Sequence, residues 1–231
     1  MRNNSKVQVA IIDIGIGNLM SIGQAFHHAA CDYLITRDHK DLMNADAVVL
    51  PGVGAFNDAM KGLNKYDLVQ PLKEIAQSNK YLIGICLGMQ LLFSESSEFG
   101  ISKGLNILEG EVVKFPTKKN GQHYLAKVPQ VGWNNVTRPD NGRYASSWDK
   151  TPMEGLAEND IMYFMHSFYV KPAEKEMQLT HTEYAGIKYC SSVYQDNIIA
   201  MQFHPERSGK QGLKIYKNLA EMIKKTVKYK L

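Results

Sequence analysis

YLIGICLGMQLLF, residues 81–93, is the stretch that decides the fold. Residues 81–85 form a short apolar run that predicts a buried strand, and a helix is predicted to begin at Gly88 and run to Phe93. Cys86 lies between them in a G-x-C-x-G pattern. A nucleophile between a strand and a helix forms a nucleophile elbow, in which small neighbours let a strained turn close. The stretch therefore predicts a reactive thiol at the carboxyl end of a strand.

The predicted helix after Cys86 places favourable electrostatics beneath the sulfur. Its positive dipole end favours the thiolate over the thiol. Free N–H groups in its first turn, such as that of Leu87, point toward a developing oxyanion. The alternative is that Cys86 is a small buried hydrophobic residue, as many free cysteines are. We expect that simpler role for Cys31 and Cys190, which have no comparable frame.

A second motif, His204-Pro205-Glu206, follows the apolar run 198–203 near the end of the chain. In extended backbone, side chains two residues apart point the same way, and the intervening proline stiffens the pair. A carboxylate beside an imidazole sets its tautomer and stabilises the imidazolium. With Cys86 the motif predicts a Cys–His–Glu triad that forms and cleaves a thioester. The alternative is a surface histidine with a solvated glutamate.

The first half of the chain alternates apolar runs with amphipathic segments, which predicts βαβ units and a mostly parallel sheet. The second half reads as strands joined by turns, closed by one long helix. The fold class predicted is α/β: a doubly wound, mostly parallel sheet with helices on both faces and an antiparallel β insertion, in a single domain over residues 1–231. Predicted strands are 7–12, 33–36, 47–50, 81–85, 108–115, 134–137, 161–170, 178–184, 189–194 and 198–203; predicted helices are 19–30, 55–63, 68–77, 88–93 and 212–229.

Glycine-rich turns follow two of these predicted strands. In parallel sheets, ligands bind outside the carboxyl ends of the strands, so the loops after residues 50, 85 and 203 are expected to converge on one crevice. The PGVG turn at 51–54 can present backbone N–H groups there to an oxyanion or a phosphate. The turn at 13–18 lacks the third glycine of a dinucleotide fingerprint, so a dinucleotide site is not expected.

Composition narrows the class of protein. A net charge of +4 over 231 residues is too small to indicate nucleic-acid binding. The three cysteines are widely spaced and form no CxxC pair, which disfavours a zinc site or a redox-active cysteine pair. The amino terminus has no apolar region of signal-peptide length, and no run of about 18 apolar residues could span a membrane. We therefore expect a cytoplasmic protein that binds neither nucleic acid nor membrane.

The segments GICLGMQ (84–90) and FHPE (203–206) together resemble class I, triad-type glutamine amidotransferases. Further segments, which cover nearly the whole chain, are similar to the glutaminase subunit of imidazole glycerol phosphate synthase. These are DIGIGNLMS (13–21), PGVGAF (51–56), VPQVGWN (128–134), YFMHSFYV (163–170) and QFHPERS (202–208).

The resemblance implies a mechanism. Cys86 attacks the side-chain amide of glutamine, His204 protonates the leaving ammonia and then activates water, and Glu206 orients His204. The N–H of Leu87 and the loop Gly52–Val53 hold the oxyanion, and in this family that loop is thought to reorient before it donates. Metal and cofactor are not implied. The implied glutamine contacts are Gln90, Glu98 and the backbone of Ser167 and Phe168.

The resemblance also implies a partner. Ammonia would pass to a cyclase subunit that folds as a (β/α)8 barrel and completes a heterodimer. This cyclase forms imidazole glycerol phosphate and aminoimidazole carboxamide ribotide in histidine biosynthesis. Trp133 is expected on the partner face or in the core. The aromatic side chains of segment 163–170 are equally consistent with a core strand, and His166 with a core histidine whose hydrogen bonds are satisfied.

Two positions depart from the usual pattern of this family. Ile14 stands where an aromatic residue is common, and Val131 where Met or Ile is common; both lie in segments expected near the partner face. They leave open a paralogous glutaminase subunit that supplies another synthase, such as one forming amidino sugars. A catalytically silent assembly partner and a cysteine peptidase built on the same elbow are further alternatives.

Overall fold

The structure, a computed structural model, describes residues 6–15, 17–116, 118–119, 122–123 and 127–228. Ile16 of the first glycine-rich turn and Tyr229, the expected end of the last helix, lie outside the described residues. Within the described ranges, no helix is long and apolar enough to cross a membrane. The helices are α1 Leu19–His28, α2 His39–Asn44, α3 Phe56–Lys65, α4 Val69–Ala76, α5 Leu87–Leu91 and α6 Gly209–Lys228, with a 3₁₀ turn at Pro205–Arg207.

Most of the described strands join one large sheet. The strands are β1 Gln8–Ile12, β2 Asp32–Thr36, β3 Ala47–Gly52, β4 Tyr81–Cys86, β5 Glu95–Ser96, β6 Ser102–Lys103, β7 Gly110–Lys114, β8 Lys118–Lys119, β9 Gln122–His123, β10 Gln130–Asn135, β11 Ile161–His166, β12 Phe168–Pro172, β13 Gln178–Tyr184, β14 Ile187–Gln195 and β15 Ile198–Met201. The order in the large sheet is β2-β1-β3-β4-β15-β14-β12-β7-β5-β6, and β13 pairs with β14. Strands β10 and β11 form a separate two-stranded sheet, as do β8 and β9.

The half of the large sheet that carries β2, β1, β3, β4 and β15 is parallel. Its strands are continuous apolar runs because helices cover both faces. Alternate residues of β1 separate the two cores: Val9 and Ile11 pack on the side of α1 and α6, and Ala10 and Ile12 on the side of α3, α4 and α5. This arrangement confirms the predicted fold class, and the antiparallel strands β14, β12 and β7 extend the same sheet.

Some predicted boundaries are wrong. Segment 161–170 is not one strand but two, because the chain bends at Ser167 and changes sheets: β11 pairs with β10, whereas β12 pairs with β7. The strand expected at 134–137 begins four residues earlier, at Gln130. Helix α2 was not predicted; it is six residues long and is capped by Asp38, whose carboxylate accepts a hydrogen bond from the Lys40 N–H at 2.7 Å.

The elbow between β4 and α5 depends on two close backbone contacts. A Cβ at Gly88 would lie 1.7 Å from the carbonyl oxygen of Leu50, and a Cβ at Gly84 would lie 3.0 Å from the Cα of Met89. Helix α5 therefore packs directly on the backbone of β3 and folds back over β4. Glycine is required at both positions because any side chain would push α5 away from the sheet.

We predict that Gly88→Ala lowers the free energy of unfolding by about 1–3 kcal/mol or more, because a rigid backbone atom occupies the new methyl position. Gly62→Ala in α3 is the matched control, since its Cβ would meet Ile14 Cβ at an ordinary 3.5 Å and alanine favours helices. Urea unfolding midpoints measure both effects. Equal stability of the two variants would contradict the close contact at Gly88.

Candidate active site

Cys86 occupies a strained turn at the carboxyl end of β4. Its φ of 56° and ψ of −112° lie outside the regions that non-glycine residues ordinarily adopt. The sulfur lies 3.8 Å from the carbonyl oxygen of Met165 and 3.7 Å from Nε2 of Gln202. Such strain persists only where surrounding structure enforces it, and it is concentrated at functional sites. The predicted nucleophile elbow is therefore present in the structure.

His204 and Glu206 are held in the turn that follows β15. His204 Nδ1 is 2.8 Å from Glu206 Oε1, and both side chains are buried. The backbone N–H of His204 donates to the Tyr163 carbonyl at 2.9 Å, and Ser208 Oγ donates to the backbone carbonyl of His204 at 2.6 Å. Because the carboxylate engages Nδ1, the opposite nitrogen, Nε2, is left for the nucleophile.

Burial and two neighbouring side chains act in opposite directions on the pKa of His204. Burial alone lowers its pKa, but the charge and hydrogen bonding of Cys86, together with Glu206, raise the pKa of His204 to about 10. Nε2 is buried and, among the described residues, has no nitrogen or oxygen partner. The imidazolium is thus stabilised by a sulfur on one side and a carboxylate on the other.

A pocket of about 220 Å³ opens beside the sulfur. Gly52, His204 and Glu206 do not line it; Gly52 pairs with Cys86 across β3 and β4 and leads into Val53. The structure therefore brings together the residues that the sequence predicted from distant segments. The predicted residues that line the pocket are Val53, Cys86, Leu87, Gln90, Glu98, Ser167 and Phe168; Gly54, Pro129, Met165 and His166 complete the wall.

Two pocket residues present hydrogen-bond acceptors. Gln90 is buried, and its Nε2 donates to the Phe168 carbonyl at 3.0 Å and to Gln202 Oε1 at 2.9 Å, which leaves its own oxygen free to accept. Glu98 Oε2 accepts from the Phe56 N–H at 2.7 Å, which fixes the carboxylate. Both oxygens therefore present acceptor capacity that suits a cationic ligand group.

Sequence reasoning missed Gln202 as a member of the site. It contacts both the Cys86 sulfur and Gln90, and a signal was present: Gln202 lies two residues before His204, so the side chains point the same way in extended backbone.

The expected effect of the helix dipole on the Cys86 sulfur is small. Helix α5 has only five residues, so few peptide dipoles add up beneath the sulfur, and its free N–H groups are the main contribution.

The sequence profile described as glutamine amidotransferase class-I matches residues 10–222. The chain belongs to this family. It is 40% identical over 215 residues to imidazole glycerol phosphate synthase subunit HisH of Geobacter metallireducens, which covers 92% of this chain and 97% of that protein. It is 43% identical over 216 residues to the HisH subunit of Caldanaerobacter subterraneus, covering 94% and 98% of the two chains.

Solved structures share the amidotransferase fold at low sequence identity. PurLQS from Thermotoga maritima has a TM-score of 0.67 and 16% identity, and the match covers 94% of this chain and 99% of that one. A glutamine amidotransferase from the same organism has a TM-score of 0.56 and 19% identity, and the match covers 94% of this chain and 85% of that one. These structural similarities support the fold. Within the family, the sequence similarity places this chain with the HisH subunits of imidazole glycerol phosphate synthase.

We predict that iodoacetamide at pH 7 alkylates Cys86 at least about tenfold faster than Cys31 or Cys190, because only a thiolate reacts. Burial raises the pKa of Cys31 to about 11 and raises that of Cys190 further. Peptide mass spectrometry over a time course measures the three rates, and His204→Ala should slow Cys86 alone. Similar rates at all three thiols would mean that Cys86 is an inert core residue.

Proposed function

We propose that this amidotransferase hydrolyses glutamine to glutamate and ammonia through Cys86, His204 and Glu206. We further propose that it delivers the ammonia to a cyclase subunit with a (β/α)8 barrel, in a heterodimer that serves histidine biosynthesis. The observation that carries the proposal is the buried His204–Glu206 pair at 2.8 Å behind a strained cysteine that opens on a pocket.

The chemistry follows from these positions. The Cys86 thiolate attacks the amide carbon of glutamine, and the oxyanion forms close to the N–H of Leu87. His204 donates its proton to the leaving nitrogen, so ammonia departs and a glutamyl thioester remains. His204 then removes a proton from water as the water attacks the thioester, and Glu206 keeps the ring oriented throughout.

The loop Gly52–Val53 is the proposed second part of the oxyanion hole. A Cβ at Gly52 would lie 3.1 Å from the Leu87 Cβ, so the loop runs against the start of α5. At the next glycine, Gly54, φ is 96° and no atom of the described residues lies within 4 Å of a Cβ position. Glycine rotates there without steric cost, which supports a loop that reorients when the site is engaged.

Glutamine recognition is assigned to the acceptors in the pocket and to nearby backbone. The oxygen of Gln90 and the carboxylate of Glu98 suit the α-ammonium group of the substrate, because both are oriented by other hydrogen bonds. The backbone of Ser167 and Phe168 lies where the chain changes sheets. The carbonyls there are already engaged, that of Ser167 by the Phe115 N–H at 3.0 Å and that of Phe168 by Gln90 Nε2 at 3.0 Å, so the backbone N–H groups are the part proposed to bind the ligand.

The proposed partner face is the exposed side of the β10–β11 sheet. Val131 pairs with Met165 and Trp133 with Tyr163, so these side chains share one face. Val131 and Trp133 are 57% and 55% exposed, and contiguous exposed apolar residues are typical of interaction surfaces. Met165 also contacts the Cys86 sulfur through its carbonyl, so this face lies directly behind the site and shortens the route for ammonia.

Of the two unusual positions, only Val131 lies on this face. Ile14 is buried and packs in the core beside α3, so its side chain is not proposed as a partner contact. The protein is further proposed to act in the cytoplasm, without binding nucleic acid or membrane. The free thiols of Cys31, Cys86 and Cys190 agree with a reducing compartment.

We predict that Cys86→Ala abolishes glutamine-dependent synthesis in the reconstituted complex while leaving synthesis from ammonium salts intact. The substitution removes the nucleophile but not the path to the partner. Product formation by the cyclase, measured with each nitrogen source, tests this directly. Retained glutamine-dependent turnover would exclude the mechanism, and loss of both activities would point to an assembly defect.

We also predict that Val131→Glu weakens assembly with the cyclase by at least about tenfold, because it buries a charge in an apolar interface. Met43→Glu is the matched control, since Met43 is 42% exposed and lies outside the β10–β11 sheet. Titration calorimetry with purified cyclase gives both dissociation constants. Equal weakening by the two substitutions, or none by either, would place the interface elsewhere.

A further inference from the structure

A chain of buried hydrogen bonds leads from the pocket to strand β10. The Phe168 carbonyl in the pocket wall accepts from Gln90 and lies 2.8 Å from His166 Nδ1. On the other side of the ring, His166 Nε2 is 3.2 Å from the Tyr189 hydroxyl. That hydroxyl is 2.9 Å from the side-chain oxygen of Gln130, which faces His166 across the β10–β11 pair.

The protons in this chain are few enough to assign. Burial lowers the pKa of His166 to about 4, aided by the charge of His204 and opposed by the hydrogen bond with Phe168, so the ring is neutral with a single N–H. Burial also holds the pKa of Tyr189 well above its ordinary value, despite its hydrogen bonds with Gln130 and Thr182. The Tyr189 hydroxyl therefore keeps its one proton.

The Phe168 carbonyl can only accept, so the ring proton of His166 lies on Nδ1 and Nε2 needs a donor. Tyr189 then faces two acceptors, His166 Nε2 and the oxygen of Gln130, with one proton to give. Meanwhile the Gln130 Nε2 is buried and has no partner among the described residues. Exchanging the nitrogen and oxygen of this amide places a donor against the Tyr189 hydroxyl and resolves the conflict there, and the two atoms are nearly indistinguishable by shape.

We propose that Gln130, Tyr189 and His166 form a one-way hydrogen-bond relay that holds the Phe168 carbonyl in the wall of the glutamine pocket. Gln130 donates to Tyr189, Tyr189 donates to His166, and His166 donates to the carbonyl. That this pocket binds glutamine rests on the proposed function. Gln130 and Tyr189 do not line the pocket, and His166, which does, acts through the Phe168 carbonyl; all three are positioning residues.

The relay has a consequence for the pocket itself. With His166 and Gln90 both donating, the two lone pairs of the Phe168 carbonyl are satisfied, and the backbone at the bend after Ser167 is fixed. Gln90 is held by the same carbonyl, so its oxygen is presented to the ligand in one orientation. Loss of the His166 donor would therefore loosen both the backbone and the Gln90 amide.

The first test requires no substitution and no substrate. In protein labelled with ¹⁵N-histidine, the ring shifts of His166, assigned with His166→Gln, should show the neutral tautomer protonated on Nδ1 from pH 7 down to about pH 5. Tyr189→Phe should leave the proton on Nδ1, because the Phe168 carbonyl still needs a donor, but it should shift the Nε2 resonance, because that nitrogen loses its hydrogen-bond donor. A ring protonated on Nε2 in the unsubstituted protein would overturn the relay.

The second test measures glutamine binding in a Cys86→Ala background, where substrate is not consumed. Adding Tyr189→Phe should raise the dissociation constant by about fivefold to tenfold, as expected for one lost hydrogen bond. Tyr144→Phe is the matched control: its hydroxyl donates to the Tyr194 carbonyl at 3.1 Å, outside the pocket wall, and should change binding less than about twofold.

Equal effects of the two tyrosine substitutions would mean that Tyr189 contributes only to stability, and the relay would be wrong. If the Cys86→Ala protein bound no glutamine at all, the proposed substrate would be wrong, whereas the His166 tautomer would still decide the relay. The two failures are therefore distinguishable.

Discussion

The contact between helix α5 and strand β3 is the constraint on which the site depends. The Leu50 carbonyl lies where a side chain at position 88 would begin, so only glycine lets α5 start directly after β4. The chain then has no room for a relaxed turn, and Cys86 takes a positive φ. That conformation brings the sulfur to the pocket, so packing energy maintains the strained turn at the proposed nucleophile.

The triad depends in turn on what surrounds one buried histidine. Burial works against a charge on His204, yet the sulfur of Cys86 and the carboxylate of Glu206 more than offset this effect and raise its pKa. Both partners come from separate ends of parallel strands, which is where open α/β sheets place their ligand crevices. The positions of β4 and β15 next to each other therefore determine whether the chemistry is available.

The sequence predicted the parts of the site that depend on local pattern. The glycines around Cys86, the spacing of His204 and Glu206, and the apolar parallel strands are all visible in short windows. The break at Ser167 was missed because segment 163–170 is largely apolar and contains neither glycine nor proline, and only pairing with different sheets reveals the bend. Gln202 was missed although its spacing to His204 gave a signal, whereas the proposed relay from Gln130 to His166 arises from contacts between distant segments, which no local pattern encodes.

The central claim is that Cys86 carries the glutamyl group during turnover. The most direct measurement is acid quenching of the protein with glutamine, in complex with its cyclase, followed by mass spectrometry of the peptide that contains Cys86. The account predicts a γ-glutamyl thioester on Cys86 that disappears when hydroxylamine is added. Glutamine consumption without any adduct on Cys86, or an adduct on Cys31 or Cys190 instead, would contradict it.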